Sequence, residues 1–140
     1  MSPAVVVDTM IASAWLGIRD TPRKARWEPL LSRSVWVLPF TVVAEMRFGA
    51  EVAGWGARRR GVLDRLVASA GVVPPLQEVT DAYVDLRTWC VHSGHGLGAK
   101  DHEADRWVAA VAIAAKLPLA TEDSIFDDVP TLGRADPDRG

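Results

Sequence analysis

Ala4-Val5-Val6-Val7-Asp8-Thr9-Met10-Ile11 is the stretch on which the fold turns. Its run of four apolar residues is rich in valine and too short for a helix, as suits a strand buried on both faces. The run stops at Asp8-Thr9, and a helical pattern follows through Met10, Ile11, Ala14, Trp15 and Ile18. Asp8 therefore stands at the carboxyl end of a buried strand. Val35-Trp36-Val37-Leu38 repeats the arrangement: Pro39 stops the strand, Thr41 is placed to cap the next helix, and Glu45 falls in about its first turn. Leu117-Pro118-Leu119-Ala120-Thr121 forms another short strand closing at Asp123, and an Ala-rich helix from about His102 to Lys116 feeds it. A helix that feeds a strand begins at the opposite end of the layer. Asp105, in the first turn of that helix, thus lies over the same carboxyl edge.

Strands alternating with helices predict an α/β fold with a parallel sheet: a three-layer α/β/α domain around a short central sheet of four to five strands. Sheets of this kind bind ligands at the edge where strands end and helices begin. Asp8, Glu45, Asp105 and Asp123 all reach that edge. Like charges gathered there must either take up protons or share a cation. Oxygen donors without Cys or paired His favour a hard ion, Mg²⁺ or Mn²⁺. Magnesium is held by one or two carboxylates plus waters and phosphate oxygens, so a phosphodiester is the natural substrate.

The residues that now stand together are Val5-Val6-Val7-Asp8-Thr9, Thr41-Val42-Val43-Ala44-Glu45 with Gly49, Asp105-Arg106-Trp107-Val108-Ala109-Ala110, and Leu117-Pro118-Leu119-Ala120-Thr121-Glu122-Asp123 with Phe126. In this order and spacing they resemble the PIN domain, a family of metal-dependent ribonucleases, and within it the VapC toxins of prokaryotic toxin-antitoxin pairs. The resemblance runs from about Ala4 to Leu132. It implies that Asp8 and Asp105 are the principal metal ligands, that Glu45 and Asp123 complete a catalytic acidic cluster, and that Thr9 and Thr121 are supporting hydroxyls. It further implies an RNA substrate, a VapB-type antitoxin as partner, and assembly as a homodimer or a toxin-antitoxin hetero-oligomer. The chain departs from the pattern at Met10, where many relatives carry Asn, and in a short terminal strand.

Composition agrees with one compact domain. With 140 residues and 49% hydrophobic content the chain can build one core, expected over 1–133, with 134–140 as a disordered tail. The single Cys90 permits no internal disulfide and suits a reducing compartment, and the apolar stretches are too short to span a bilayer, so a cytoplasmic protein is expected. A net charge of −2 conceals local basic clusters at Arg23, Lys24 and Arg26 and at Arg58, Arg59 and Arg60. These could hold RNA phosphates or be solvated helix faces. Arg47 and Arg106, beside the acids of the site helices, are the sharper candidates for RNA binding.

Between the motif segments, Thr21-Pro22 reads as a helix start, with Pro29 limiting or kinking the helix. Val72-Val73 makes a brief strand, and Thr80 is placed to cap a helix with Tyr83, Leu86 and Cys90 inward. The glycine-rich Gly94-His95-Gly96-Leu97-Gly98 lacks a preceding strand and reads as a flexible connection rather than a phosphate loop. Trp27 and Trp55 are the tryptophans placed for exposure at a protein interface. His102, three residues before Asp105, could reach the substrate or the groups around the acids.

Each acid also has a bland reading as a cap or as a partner of a helix dipole. Their joint placement favours chemistry. The alternative function is a non-catalytic PIN-like module that binds RNA or protein. A phosphoacceptor role for Asp8 is a third reading, disfavoured because Thr9 and Met10 follow it where a second acid is wanted.

Overall fold

A computed structural model describes residues 2–17 and 19–139; Ile18, which the first helical pattern includes, lies outside the described residues. Strand β1 (Ala4–Val7) is followed by helices α1 (Thr9–Ser13) and α2 (Pro22–Leu31), strand β2 (Val35–Pro39), and helices α3 (Phe40–Ala53) and α4 (Ala57–Ser69). Strand β3 (Gly71–Val73), helices α5 (Gln77–Ser93) and α6 (Glu103–Ala115) and strand β4 (Leu119–Ala120) complete the domain. The four strands form one wholly parallel sheet in the order β3-β2-β1-β4. A single parallel bridge between Leu119 and Arg134 adds the trace of a fifth strand beside β4.

Successive strand residues point to opposite faces, yet Val5, Val6 and Val7 are all buried. Both faces of β1 are therefore covered, and the helices supply the two outer layers. Ala109, Ala110 and Ala112 are 0–1% exposed, and their small side chains let α6 pack closely on the sheet and on α5. The chain builds outward from β1 to β2 and β3 before returning across the sheet to β4. The order thus reverses between β1 and β4, the place where an open α/β sheet forms its ligand crevice.

Several local expectations are corrected. Helix α3 starts at Phe40 behind Pro39, whose φ of −56° and ψ of 146° set the entry, so Thr41 lies inside the helix and does not cap it. Helix α5 begins at Gln77, before Thr80, because its buried face already starts at Val79. Trp27 is 1% exposed and belongs to the core, whereas Trp55 is half-buried with the Arg59 guanidinium 3.9 Å from its ring centre. The terminal segment is laid against the domain up to Arg139: Arg134 pairs with Asp127 at 3.0 Å, and Arg26 approaches Asp138 at 3.9 Å. Thr21 does cap α2, accepting from the Lys24 amide at 3.1 Å, and α2 continues through Pro29.

The connection at 94–102 is a packed strap rather than a flexible link. Two 3-10 turns, Gly96–Gly98 and Lys100–His102, lead into α6, and Leu97 is fully buried. A Cβ on Gly98 would stand 2.8 Å from that of Cys90, so only glycine admits this approach to α5. His95 accepts from the Leu97 amide through Nδ1 and bonds the Asp127 carbonyl through Nε2 at 2.7 Å.

Candidate active site

Asp8 follows β1 directly and serves as the N-cap of α1 in extended geometry, which aims its carboxylate back over the strand ends. Oδ1 accepts from the Thr9 amide at 2.8 Å, and Oδ2 accepts from the Thr121 hydroxyl at 2.8 Å. The second bond joins the ends of β1 and β4 across the switch point. Asp8 is 7% exposed. Burial pushes its carboxyl above the usual aspartate range, against the two hydrogen bonds, and the charges of Asp105 and Glu45 push the same way.

The structure therefore brings three of the expected acids, Asp8, Glu45 and Asp105, within electrostatic reach of one another. Asp105 sits in the first turn of α6, where the helix dipole favours an anion, and its Oδ2 is 2.8 Å from His102 Nδ1. Glu45 stands exposed on α3. Asp123 reaches the edge differently. Its amide donates to Thr121 Oγ1 at 3.1 Å, while its own Oδ1 accepts from the Ile125 amide at 3.0 Å and caps the turn Ser124–Phe126. Thr121, 4% exposed, is thus the hub that joins Asp8 to the Asp123 backbone.

Among the described residues no three His, Cys, Asp or Glu side chains converge closely enough to form a metal cage. The donor set nevertheless fits an ion of the magnesium type, which takes one or two carboxylates and completes its shell with water and substrate oxygens. Two further hydroxyls, Thr9 Oγ1 next to Asp8 in the chain and Thr41 Oγ1 in the first turn of α3, are buried without a hydrogen-bond partner. Polar atoms left unpaired in this way are uncommon in structural regions and suit a site that receives a polar ligand.

The basic residues divide. Arg106, expected to meet RNA, is 2% exposed, and its Nη1 donates to the carbonyls of Leu97 at 2.9 Å and Ala99 at 2.7 Å. That expectation is corrected: one residue beyond Asp105 the helix has turned about 100°, away from the edge and into the strap. Arg47 is exposed, but two residues beyond Glu45 it lies about 200° around α3 from that acid. Arg23 and Arg26 pair with Glu122 at 2.7 and 3.5 Å, and Lys24 pairs with Asp20 at 3.3 Å. Glu122, part of the last motif segment, has no role that could be read from that segment alone. Its only signal was complementary spacing, an acid beside Thr121 and an Arg-x-x-Arg-Trp set on one face of a helix.

The PIN domain model matches residues 5–132. A search of curated proteins finds no match. Among solved structures, the chain is similar to one in the VapBC2 complex of Rickettsia felis bound to a promoter DNA fragment, with 20% identity over 94% of this chain and 97% of that one and a TM-score of 0.77. It is also similar to a chain of VapBC-1 from nontypeable Haemophilus influenzae (19% identity, 96% and 98% covered, TM-score 0.76). A chain of FitAcB from Neisseria gonorrhoeae gives 21% identity, 95% and 97% covered, and a TM-score of 0.75. At these identities the likeness is one of fold, with the matched chains nearly coextensive. Since the family model spans most of the chain, and the parallel sheet carries Asp8, Glu45 and Asp105 to its carboxyl edge, the protein belongs to the PIN domain family.

Proposed function

We propose that this chain is a divalent-metal-dependent ribonuclease that hydrolyses RNA phosphodiester bonds and acts as the toxin of a toxin-antitoxin pair. The observation that carries the reading is the environment of Asp8. A buried carboxylate is held in one orientation by Thr9 and Thr121 while Asp105 and Glu45 disfavour its charge, and a cation relieves all three. Asp8 and Asp105 would hold Mg²⁺ or Mn²⁺, which when bound supplies a water of lowered pKa and neutralises charge developing on the phosphate. The Thr121 hydroxyl keeps Asp8 Oδ2 in place, and His102 does the same for Asp105 Oδ2. Glu45, exposed above the same edge, is the acid open to orienting a water, and Asp123 completes the acidic rim. Arg47 remains a candidate phosphate contact at the periphery.

Incubation of the purified protein with total cellular RNA tests the reading. Cleavage is expected with Mg²⁺ or Mn²⁺ and none in chelator; equal cleavage in both would refute it. The second reading, a non-catalytic PIN-like module, is favoured by one observation, that the Asp123 carboxylate caps a turn instead of joining the other acids. RNA that is bound yet uncut at saturating metal would select it.

Two further structures of similar fold are a toxin-antitoxin complex from Klebsiella pneumoniae and VapBC-5, a member of the VapBC family of toxin-antitoxin systems, from Mycobacterium tuberculosis, and by extension a VapB-type antitoxin is proposed here. A groove of about 500 Å³ between α1 and α2, lined by Met10, Ser13, Ala14, Thr21, Pro22 and Arg23, offers it a seat, and Met10 is 44% exposed. A basic partner side chain entering beside Asp8 would relieve the same repulsion as a metal ion. Exposed Phe48 and Val52 on α3 and Val84 and Val91 on α5 are apolar surface available to a second copy or to the antitoxin. Among the described residues no helix is long and apolar enough to cross a membrane, and a cytoplasmic site of action is proposed. Expression of the chain alone is expected to arrest growth, the Asp8→Asn form should not, and a co-expressed antitoxin from the adjacent reading frame should rescue. Equal growth with wild type and Asp8→Asn at matched soluble levels would sink the toxin assignment.

A further inference from the structure

We propose that Glu122 is a positioning residue that staples the Thr121–Asp123 segment to α2 and thereby sets the hydrogen bond from Thr121 to Asp8. Glu122 Oε1 accepts from Arg23 Nε at 2.7 Å, and Oε2 accepts from Trp27 Nε1 at 3.1 Å with Arg26 Nη1 at 3.5 Å. The three donors occupy positions i, i+3 and i+4 of α2 and so share one face of that helix. Trp27 is 1% exposed, so its indole N–H needs an acceptor within the protein, and Glu122 Oε2 supplies it. Arg23 above all, with Trp27 and Arg26, holds the Glu122 carboxyl below its usual range, so the clamp is charged and intact at neutral pH.

In an extended segment neighbouring side chains point to opposite sides. Thr121 therefore turns inward to Asp8 while Glu122 turns outward to α2, and the peptide between them is held from both directions. A small shift of this backbone breaks the 2.8 Å bond to Asp8 Oδ2 and leaves that carboxylate with the Thr9 amide alone. Helix α2 thus becomes part of the site's support. Anything that draws Arg23 and Arg26 away from Glu122 would be felt at Asp8 through Thr121. The positioning itself stands on these contacts; only its effect on metal binding rests on the ribonuclease reading.

Amide hydrogen exchange measured by NMR on the metal-free full chain, together with Mn²⁺ titration, tests the inference. In Glu122→Ala the amides of Thr9 and Asp123 should exchange faster relative to those in the middle of α6, and Mn²⁺ affinity should fall about tenfold, the lower end for loss of a ligand's supporting partner. Glu122→Gln, which keeps an acceptor for Trp27 and guards against failure of the alanine form to fold, should give a smaller change in the same direction. In a Thr121→Val background, Glu122→Ala should alter neither Thr9 exchange nor Mn²⁺ affinity further, because the path through the hydroxyl is already cut. Relative exchange unchanged at both amides in both single variants, or an undiminished effect in the Thr121→Val background, would overturn the positioning role. If the amides respond but the wild type takes up no Mn²⁺, the metal reading falls and the positioning role stands.

Discussion

Asp8→Asn is expected to lower RNA cleavage by more than about 100-fold, the upper end for losing only a supporting neighbour of a metal ligand, and to leave the fold intact. Asparagine is as good an N-cap as aspartate, so α1 keeps its start, and the side-chain oxygen can still accept from the Thr9 amide. The metal-free stability should rise at neutral pH by on the order of 1 kcal/mol, the usual scale of a single substitution. The sign follows from burial. The folded protein holds the Asp8 proton to higher pH than the unfolded chain does, so wild-type stability declines as pH rises from the ordinary aspartate range near 4 through the folded value. The advantage of Asp8→Asn should therefore be small at the acid end of that window and grow as pH rises through it. Thermal denaturation in chelator at several pH values reads the trend, and cleavage of total RNA reads the activity. Asp105→Asn should lose activity in the same way. Retained cleavage would remove either acid from the site, whereas loss of folding in both variants would make them structural.

Arg106→Ala is expected to destabilise the protein by roughly 2–4 kcal/mol, since it leaves the buried Leu97 carbonyl and the part-buried Ala99 carbonyl without their donor and opens a cavity. Arg106 Nη1 serves both Leu97 and Ala99, and its Nε lies 3.4 Å from the Tyr83 hydroxyl. Tyr83 in turn stacks on Trp107 with ring centres 4.0 Å apart. Among the described residues no carboxylate pairs with this buried cation, so the carbonyls are its solvation. Arg106→Lys keeps the charge but not the paired geometry, and should lose less. Denaturant unfolding at neutral pH checks the magnitude. A phosphate-binding role would give the opposite pattern, with RNA affinity lost and the unfolding midpoint unmoved.

The carboxyl edge was legible because its signals are local. Short valine-rich runs broken by Asp8 and Pro39, and an Ala-rich helix opening near Asp105, place acids at strand ends and helix starts whatever the rest of the chain does. What failed to show was the direction of side chains governed by rotation about a helix. Arg106 follows Asp105 in sequence yet enters the strap. Trp27 read as surface because α2 is polar on average, although its indole closes on Glu122. Thr41 looked like a cap because the point at which the chain turns helical, at Phe40 behind Pro39, cannot be seen in a list of residues.

By itself the sequence determined the α/β class, the parallel strands and the edge at which Asp8, Glu45 and Asp105 are displayed, since hydrophobic period and turn chemistry act over a few residues. Tertiary structure decided the strand order β3-β2-β1-β4, and with it that Thr121 would meet Asp8 across 113 positions of chain. It also decided that the Asp123 carboxylate would cap a turn, that Glu122 would be clamped by α2, and that the terminal segment to Arg139 would lie against the domain. These are contacts between segments distant in sequence, chosen by which arrangement buries the apolar faces and pairs the polar groups together, and no local pattern encodes them.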